Sequence, residues 1–405
     1  MTVTVPTAAA DPFTATSDGD RHAIYDALVA AGPVHRIPLP SGQLGWLITS
    51  YAAARAVLAD ARVVKGGPGH GPYIAELAPD VAAAIDRHML NLDPPDHTRL
   101  RRLVSAAFTR RRSEQLAPRI QAITDQLLDG LAGRGELDLI SEFAYPLPIT
   151  VICELLGIPE SDRTEFRAWT APLVAGAMAG FAAYSAAATA LVDYTRTLLA
   201  RKRAEPADDL LSALVGVRDG SDRLSEDELT SMVYLLLLAG HETTVNLIGN
   251  GVRALLTHPE QLSLLRAEPE RITAAVEELL RFDGPLQSAI PAITSTPVQI
   301  GEVTIPAGEI LVVSLLAANR DPGRMDAADA VDLRRAAAPH LAFGHGIHHC
   351  LGAPLARLEA RIAIGSLLDR FPRLQLAVPA DQLRRLPGLL MNGLAALPVR
   401  CDGGG

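Results

Sequence analysis

The sequence predicts a mainly α-helical fold with small β-sheets, in one domain spanning residues 1–405. Three observations carry that expectation. Apolar residues recur at helical spacing through most of the 405 residues, strand-like alternation is confined to short pieces, and no repeat or Ser/Gly linker divides the chain. Length alone would suggest two or three domains, so the unbroken pattern decides for one, with about residues 1–15 as a flexible N-terminus. Hydrophobic residues make up 48%, charged residues 20% and aromatics 4%, a composition with material for a large core. A net charge of −9 argues against a nucleic-acid partner.

The elements follow in order. The N-terminus, MTVTVPTAAADPF, lacks the basic region and apolar run of a signal peptide. GWLITSY (45–51) alternates like a strand. A helix runs through HTRLRRLVSAAF from His97, directly after the helix-stopping Asp-Pro-Pro. The window 168–192 is uncharged, but it consists mainly of Ala, Gly, Ser and Thr, so we read two helices and their connection and expect no membrane span. A long helix begins at Ser225, where Ser225 and Glu228 form a capping box and Leu224 and Leu229 a hydrophobic staple. It continues to about Thr257-His258-Pro259, and its apolar centre marks it as a buried spine. VTIPAGEILVV (303–313) is strand-like and turns at Pro306-Ala307-Gly308. A last helix follows Cys350, with Leu351, Leu355, Leu358 and Ile362 at helical spacing and Phe371-Pro372 as its end.

The chemistry concentrates in FGHGIHHC (343–350), three histidines and one cysteine in eight positions. The other cysteines, Cys153 and Cys401, are far away, so a disulfide framework is not expected and a reducing cytoplasm is the default. Three readings are open at this point. A structural zinc site needs four ligands, normally in two separated pairs, and no CxxC or HxxxH partner occurs. A Cys–His nucleophile needs a base and an oxyanion hole, which spacing alone does not test. A haem held by one axial thiolate needs only the cysteine. Cys350 precedes a helix N-terminus, which favours the thiolate, and Gly344, Gly346 and Gly352 let backbone approach whatever the sulfur holds.

Phe343-Gly344-x-Gly346-x-His348-x-Cys350-x-Gly352 resembles the haem-binding loop of the cytochrome P-450 family. Three further motifs stand in that family's order: Ala239-Gly240-His241-Glu242-Thr243-Thr244 on the long helix, Glu278-Leu279-Leu280-Arg281, and His97 with Arg101 after the Asp-Pro-Pro. The resemblance spans about residues 20 to 400 and implies a single triangular-prism-like helical domain binding haem b. It implies that Cys350 is the axial iron ligand and that His97, Arg101 and His348 meet the propionates. Phe108, Ala239, Gly240, Ala342, Phe343, Gly344 and Gly352 then lie against the haem. Glu278, Arg281 and Arg335 are implied to form a buried structural cluster.

Physical chemistry adds roles. Glu242 and Thr243 fall inside an apolar helix, where a carboxylate is costly unless paired or used. Cleaving dioxygen requires two delivered protons, which a hydroxyl can position and a carboxylate can relay. Ala239 and Gly240 are expected to leave room for O2. Arg99, Arg102, Arg110, Arg111 and Arg112, with no acid between His97 and Ser113, suggest a basic dock for an acidic electron donor. No flavin, nicotinamide or iron–sulfur motif occurs, so the resemblance implies an external ferredoxin and its NAD(P)H-dependent reductase.

One departure stands out. The family commonly places a propionate-binding arginine after its ExxR helix, but no Lys or Arg occurs between Phe282 and Asn319, and Ala292 falls near the expected place. A Ser, a Thr or water is expected to take over. Leu235, Leu238, Leu286, Ile290 and Met391 are the candidate pocket residues, under an Ala/Gly-rich lid at 172–190, for a bulky apolar substrate of the macrolide or polyketide kind. The rival readings are a peroxide-driven or redo-neutral haem-thiolate enzyme, which would not need Glu242 and Thr243, and a non-enzymatic haem sensor.

Overall fold

The computed structural model describes residues 11–66, 73–108, 110–217, 222–336 and 338–401. The helices in chain order are α1 (Asp18–Ala31), α2 (Tyr51–Leu58), α3 (Pro79–Asp86), α4 (Asp96–Ala107), α5 (Arg110–Gln115), α6 (Ala117–Leu131), α7 (Pro146–Leu156) and α8 (Arg163–Ala175). They continue with α9 (Phe181–Ala204), α10 (Leu210–Gly216), α11 (Glu226–Thr257), α12 (Pro259–Ala267), α13 (Ile272–Asp283), α14 (Leu315–Asn319) and α15 (Ala353–Arg370). The chain divides into two compact units. Unit 1 comprises Met1–Val64, Ala117–Leu147 and Thr243–Gly405, and unit 2 comprises Lys65–Leu116 and Pro148–Glu242. No linker composition marks these boundaries, because two of them fall inside α7 and α11. Of the flexible N-terminus expected at about 1–15, residues 1–10 lie outside the described residues.

Unit 1 holds the sheets. Strands β1 (Val34–Pro38), β2 (Leu44–Ile48), β3 (Val63–Val64), β5 (Ala292–Thr294) and β8 (Ile310–Val313) form one sheet in the order β1-β2-β8-β5-β3. Only β2 and β8 pair in parallel. Successive residues of a strand face opposite sides, and here both sides are apolar. Trp46, Ile48, Leu311 and Val313 pack on one face with Tyr51 and Leu341, while Leu47 and Val312 pack on the other with Phe13, Tyr25 and Leu316. A second sheet joins β4 (Glu136–Asp138), β10 (Pro398–Arg400) and β9 (Gln375–Leu376), and β6 (Val298–Ile300) pairs with β7 (Val303–Ile305). The 303–313 segment therefore serves two sheets. Gly308 at φ +81° turns the chain, and the Thr294 hydroxyl, donating to Pro306 C=O at 2.6 Å, holds the corner.

Helix boundaries follow their caps. Ser225 and Glu228 exchange bonds, Ser225 N–H to the Glu228 carboxylate at 2.8 Å and Glu228 N–H to Ser225 Oγ at 3.2 Å. Leu224 and Leu229 are both buried beside this box. The 32 residues of α11 reach about 48 Å at ~1.5 Å per residue. It is the one described helix long and apolar enough to cross a bilayer, and 61% of its apolar window is buried in protein. The 168–192 window forms the end of α8, a short 3-10 turn (Gly176–Ala179) and the start of α9. The spine is not buried throughout, because Ala239 at its middle is exposed.

Candidate functional site

In unit 1 the cysteine loop is closed by its own backbone. Gly344 N–H donates to Leu341 C=O at 2.8 Å, His349 N–H to Gly346 C=O at 3.2 Å, and Cys350 N–H back to Phe343 C=O at 2.9 Å. Gly344 and Gly346 both sit at φ +73°, the left-handed region that favours glycine. Gly346 is required twice over, since a Cβ there would stand 2.5 Å from the Leu58 carbonyl oxygen at the end of α2. Arg55 of the same helix donates to His345 Nε2 at 3.4 Å. Cys350 is exposed and precedes α15, with Gly352 as N-cap and a proline in the first turn. His348 is half-buried and His349 exposed.

A clamp that sequence reasoning missed fixes this loop. The Arg357 guanidinium of α15 lies 4.4 Å from the Phe343 ring centroid. Arg357 is gripped at both ends by Glu277 of α13, at 2.6 and 2.8 Å, and His340 Nε2 stands 3.2 Å from the same carboxylate. Burial alone would raise the Glu277 pKa, but the bonds from His340 and Arg357 hold it at about 2. Ala342 and Phe343 are buried with Leu247, Val276, Leu280, Ala353 and Ala360.

The adjacent Glu278 faces another way. It takes a two-pronged bond from Arg281, 2.8 Å at each oxygen, and a third from Arg335 Nε at 3.2 Å. Arg281 also donates to the carbonyls of Asn319, Ala328 and Ala330, and Arg335 to those of Asp326 and Ala327. The structure thus brings Glu278, Arg281 and Arg335 together. At the end of α13, buried Asp283 collects Arg385, Arg253 at 2.8 Å and Asn392 at 2.7 Å. Burial opposes its charge, yet Arg385 and Arg253 hold its carboxyl well below the usual range. This network had no local signature, as its members lie 30 to 109 residues apart. It supports two candidate pocket residues. Asn392 also donates to Gly284 C=O at 2.8 Å and to Pro285 C=O through its backbone at 2.9 Å, and beside it Leu286 and Met391 form a β-bridge. Ile290 is half-buried.

In unit 2, His97 is 2% exposed and Arg101, one turn on, is half-buried, with buried Phe108 closing the helix. Asp93 anchors this start: its carbonyl accepts from His97 N–H at 3.0 Å, and its carboxylate from the Lys65 and Gly66 N–H groups at 2.9 and 3.1 Å. Two of the basic-patch arginines are committed elsewhere. Arg99 pairs with Asp222 at 3.2 Å and with Glu228, and Arg112 with Asp208 at 3.0 Å. Their acidic partners lie 96 to 129 residues away, which is why the run looked uncompensated. Arg102 and Arg111 are exposed, and the Arg110 side chain lies outside the described residues.

On α11, Leu235 is buried, Leu238, Gly240, Glu242 and Thr243 are half-buried, and Ala239 is exposed. Gly240 does not leave open room: a Cβ there would come within 3.1 Å of Ile152 on α7, so its missing side chain serves helix packing. His241 is 1% exposed and its Nδ1–H donates to Leu237 C=O at 2.6 Å. Burial depresses its pKa, so the ring stays neutral, and its 3.8 Å approach to the Glu242 carboxylate is no ion pair.

The donor chemistry tests the opening alternatives. Among the described residues no group of three or more His, Cys, Asp or Glu side chains could hold a bare metal ion. A single exposed cysteine side chain suits an iron that brings its other ligands with it, as a haem iron does.

The cytochrome P450 family model matches residues 183–393. The chain is 48% identical over 390 residues to the vitamin D(3) 25-hydroxylase of Pseudonocardia autotrophica, covering 96% of each. It is 43% identical over 378 residues to the mycinamicin IV hydroxylase/epoxidase of Micromonospora griseorubida, covering 93% of this chain and 94% of the relative. The solved structure of the tirandamycin C-bound P450 monooxygenase TamI matches with TM-score 0.86 at 44% identity, over 95% of this chain and 98% of that one.

Proposed function

The chain belongs to the cytochrome P450 family, and from that premise we propose that it is a haem-thiolate monooxygenase hydroxylating or epoxidising a bulky, mostly apolar metabolite of the macrolide or polyketide kind. The bound haem b supplies dioxygen activation. Cys350 holds its iron, and the observation that carries this is the loop that presents the sulfur: left-handed glycines, the Cys350–Phe343 bond and the Glu277–Arg357–Phe343 clamp. Thiolate charge is favoured by the N-terminus of α15 directly behind it. By the family resemblance, His97, Arg101 and His348 would hold the propionates as hydrogen-bond donors.

Thr243 Oγ1 would position a proton donor, and the Glu242 carboxylate would pass protons to it. By the family resemblance, Leu235, Leu238, Leu286, Ile290 and Met391 would hold the substrate, with Ala239 as a small residue that leaves space for it. By the family resemblance, electrons come from a ferredoxin and its NAD(P)H-dependent reductase. Two relatives are named as a vitamin D(3) 25-hydroxylase and a mycinamicin IV hydroxylase/epoxidase, which supports hydroxylation or epoxidation of a metabolite as the reaction class. Three cysteines so widely spaced in the sequence suit a reducing cytoplasm.

The test is an optical titration of the ferric protein with macrolides, other polyketides, terpenoids and steroids, followed by turnover with a ferredoxin system. A low-to-high-spin shift with a macrolide or polyketide, and oxygenated product, is expected. Product made only with peroxide would replace the O2-dependent reading, and a protein that takes up no haem would sink it.

A further inference from the structure

Within unit 1 a recess of about 280 Å3 is lined by residues of α6, α12, α15 and the start of α13. Its nearest residue on α15, Arg361, lies about three helical turns beyond Cys350, and the recess shares no residue with the thiolate loop. We propose that this recess is a second ligand site, one that takes a small amphipathic anion: an apolar chain or ring bearing a single carboxylate.

The floor is apolar and kept open. Leu265 and Leu368 are buried there, while Ile272 and Ile362 are only half-buried. Gly365 lines the recess from the interior of the 18-residue α15, where glycine is disfavoured against alanine. Packing does not require it: a Cβ at Gly365 would meet Ile272 Cγ1 at 3.8 Å, an ordinary contact. Gly346 differs, since its missing side chain answers a clash. At Gly365 the helix forgoes stability, and what it keeps is space.

The rim carries charge. Arg266 of α12 and Arg361 of α15 are both exposed, and among the described residues neither has an ion pair or hydrogen bond. Other arginines of these helices and their surroundings are matched, Arg271 with Glu268, Arg357 with Glu277 and Arg370 with Asp129. In a chain of net charge −9, two unmatched guanidiniums at one recess favour an anion, and the planar fork suits a carboxylate. Asp369 is the third charge there and opposes the anion in part. Ser366 Oγ accepts from Gln121 Nε2 at 2.9 Å, which leaves its own hydroxyl hydrogen to donate. The volume lies just under the ~300–1,000 Å3 usual for small-molecule sites, so the ligand is small.

The experiment is equilibrium dialysis of radiolabelled decanoate against the haem-loaded protein, with a bulky azole on the iron to fill the substrate pocket. One equivalent of decanoate is expected to bind, more weakly as salt is raised. Decanol, without the head, and acetate, without the chain, should compete far less well. Arg266→Ala and Arg361→Ala should each weaken binding about threefold to tenfold, as for a charge-assisted bond at an exposed site. Asp369→Asn should tighten it, which a merely structural role would not produce. Gly365→Leu fills the recess and should abolish binding, with far-UV dichroism and the haem spectrum unchanged. Absent binding to wild type, equal competition by decanol, or full binding by Gly365→Leu would overturn the proposal. So would binding that disappears when the azole is present, because it places decanoate in the substrate pocket. If Gly365→Leu does not fold, the two surface arginine variants decide: weaker binding upholds the site, and unchanged affinity refutes it.

Discussion

Asp283→Asn should be among the most destabilising conservative changes in this chain. The side chain changes little in size, but the only negative charge between two buried guanidiniums disappears. Asp283 and Arg385 are each 1% exposed at the side chain and Arg253 is 8% exposed, so water cannot take over. Removing one partner of such a group costs about 3–5 kcal/mol. Unfolding entropy near ~2.1 cal/mol/K per residue gives ~0.85 kcal/mol/K for 405 residues, so a loss of about 4 kcal/mol lowers Tm by about 5 °C. The Asp283 pKa lies well below its ordinary value, so its contribution is present above about pH 4 and is lost only as pH falls further. The variant's deficit should therefore be constant from pH 6 to 8. Thermal unfolding of the haem-loaded protein by circular dichroism measures it. Arg385→Met in the same background should recover about 1–3 kcal/mol, because it removes one stranded cation. A Tm within 1 °C of wild type for Asp283→Asn would refute the claim that this charge holds the Gly284–Leu286 and Met391–Asn392 segments in place.

Four further outcomes follow from the site. Thr243→Ala should keep haem and reductant consumption while product falls about 100-fold or more and peroxide rises, measured by product yield per NAD(P)H; unchanged coupling would remove Thr243 from proton delivery. Cys350→Ala should abolish the thiolate-haem spectrum without changing far-UV dichroism; a wild-type spectrum would exclude Cys350 as the ligand. Gly346→Ala combines a left-handed φ with a 2.5 Å approach to a backbone oxygen, and should cost about 2–4 kcal/mol and much of the haem; normal stability and loading would contradict the tight seating against α2. Glu277, held at about 2 against an ordinary value near ~4.3, stabilises the protein above pH ~4.3 and loses that contribution as pH falls toward 2. With its side chain 30% exposed the effect is discounted to about 1–2 kcal/mol, and Glu277→Gln should flatten the acid limb of the stability profile.

Local chemistry was legible in the sequence. The glycines of the cysteine loop, the capping box at Ser225 and the i,i+3 pair of Glu278 and Arg281 announce themselves within a few residues. What depended on distant partners was not. Arg99 reads as a surface charge until Asp222 and Glu228 are seen beside it. Glu277 looks like a solvent-facing neighbour of Glu278 until α13 is rotated and it meets Arg357. Asp283 shows no motif at all, because its ligands come from two distant stretches, one at Arg253 and one at Arg385–Asn392. Gly240 was assigned to oxygen access, whereas only the position of Ile152 shows which neighbour needs the missing side chain.

The seating of Gly346 against the Leu58 carbonyl bears on how the protein is made. Residues of α2 leave the ribosome nearly three hundred positions ahead of the loop they support, as do the first strands of the five-stranded sheet. The thiolate loop thus emerges late, onto a mould whose earliest part has long been waiting. Completion of that fit is a natural checkpoint: a nascent chain with a faulty first sixty residues would reach its end without a properly shaped place for iron, and prosthetic-group loading would report on the integrity of its beginning.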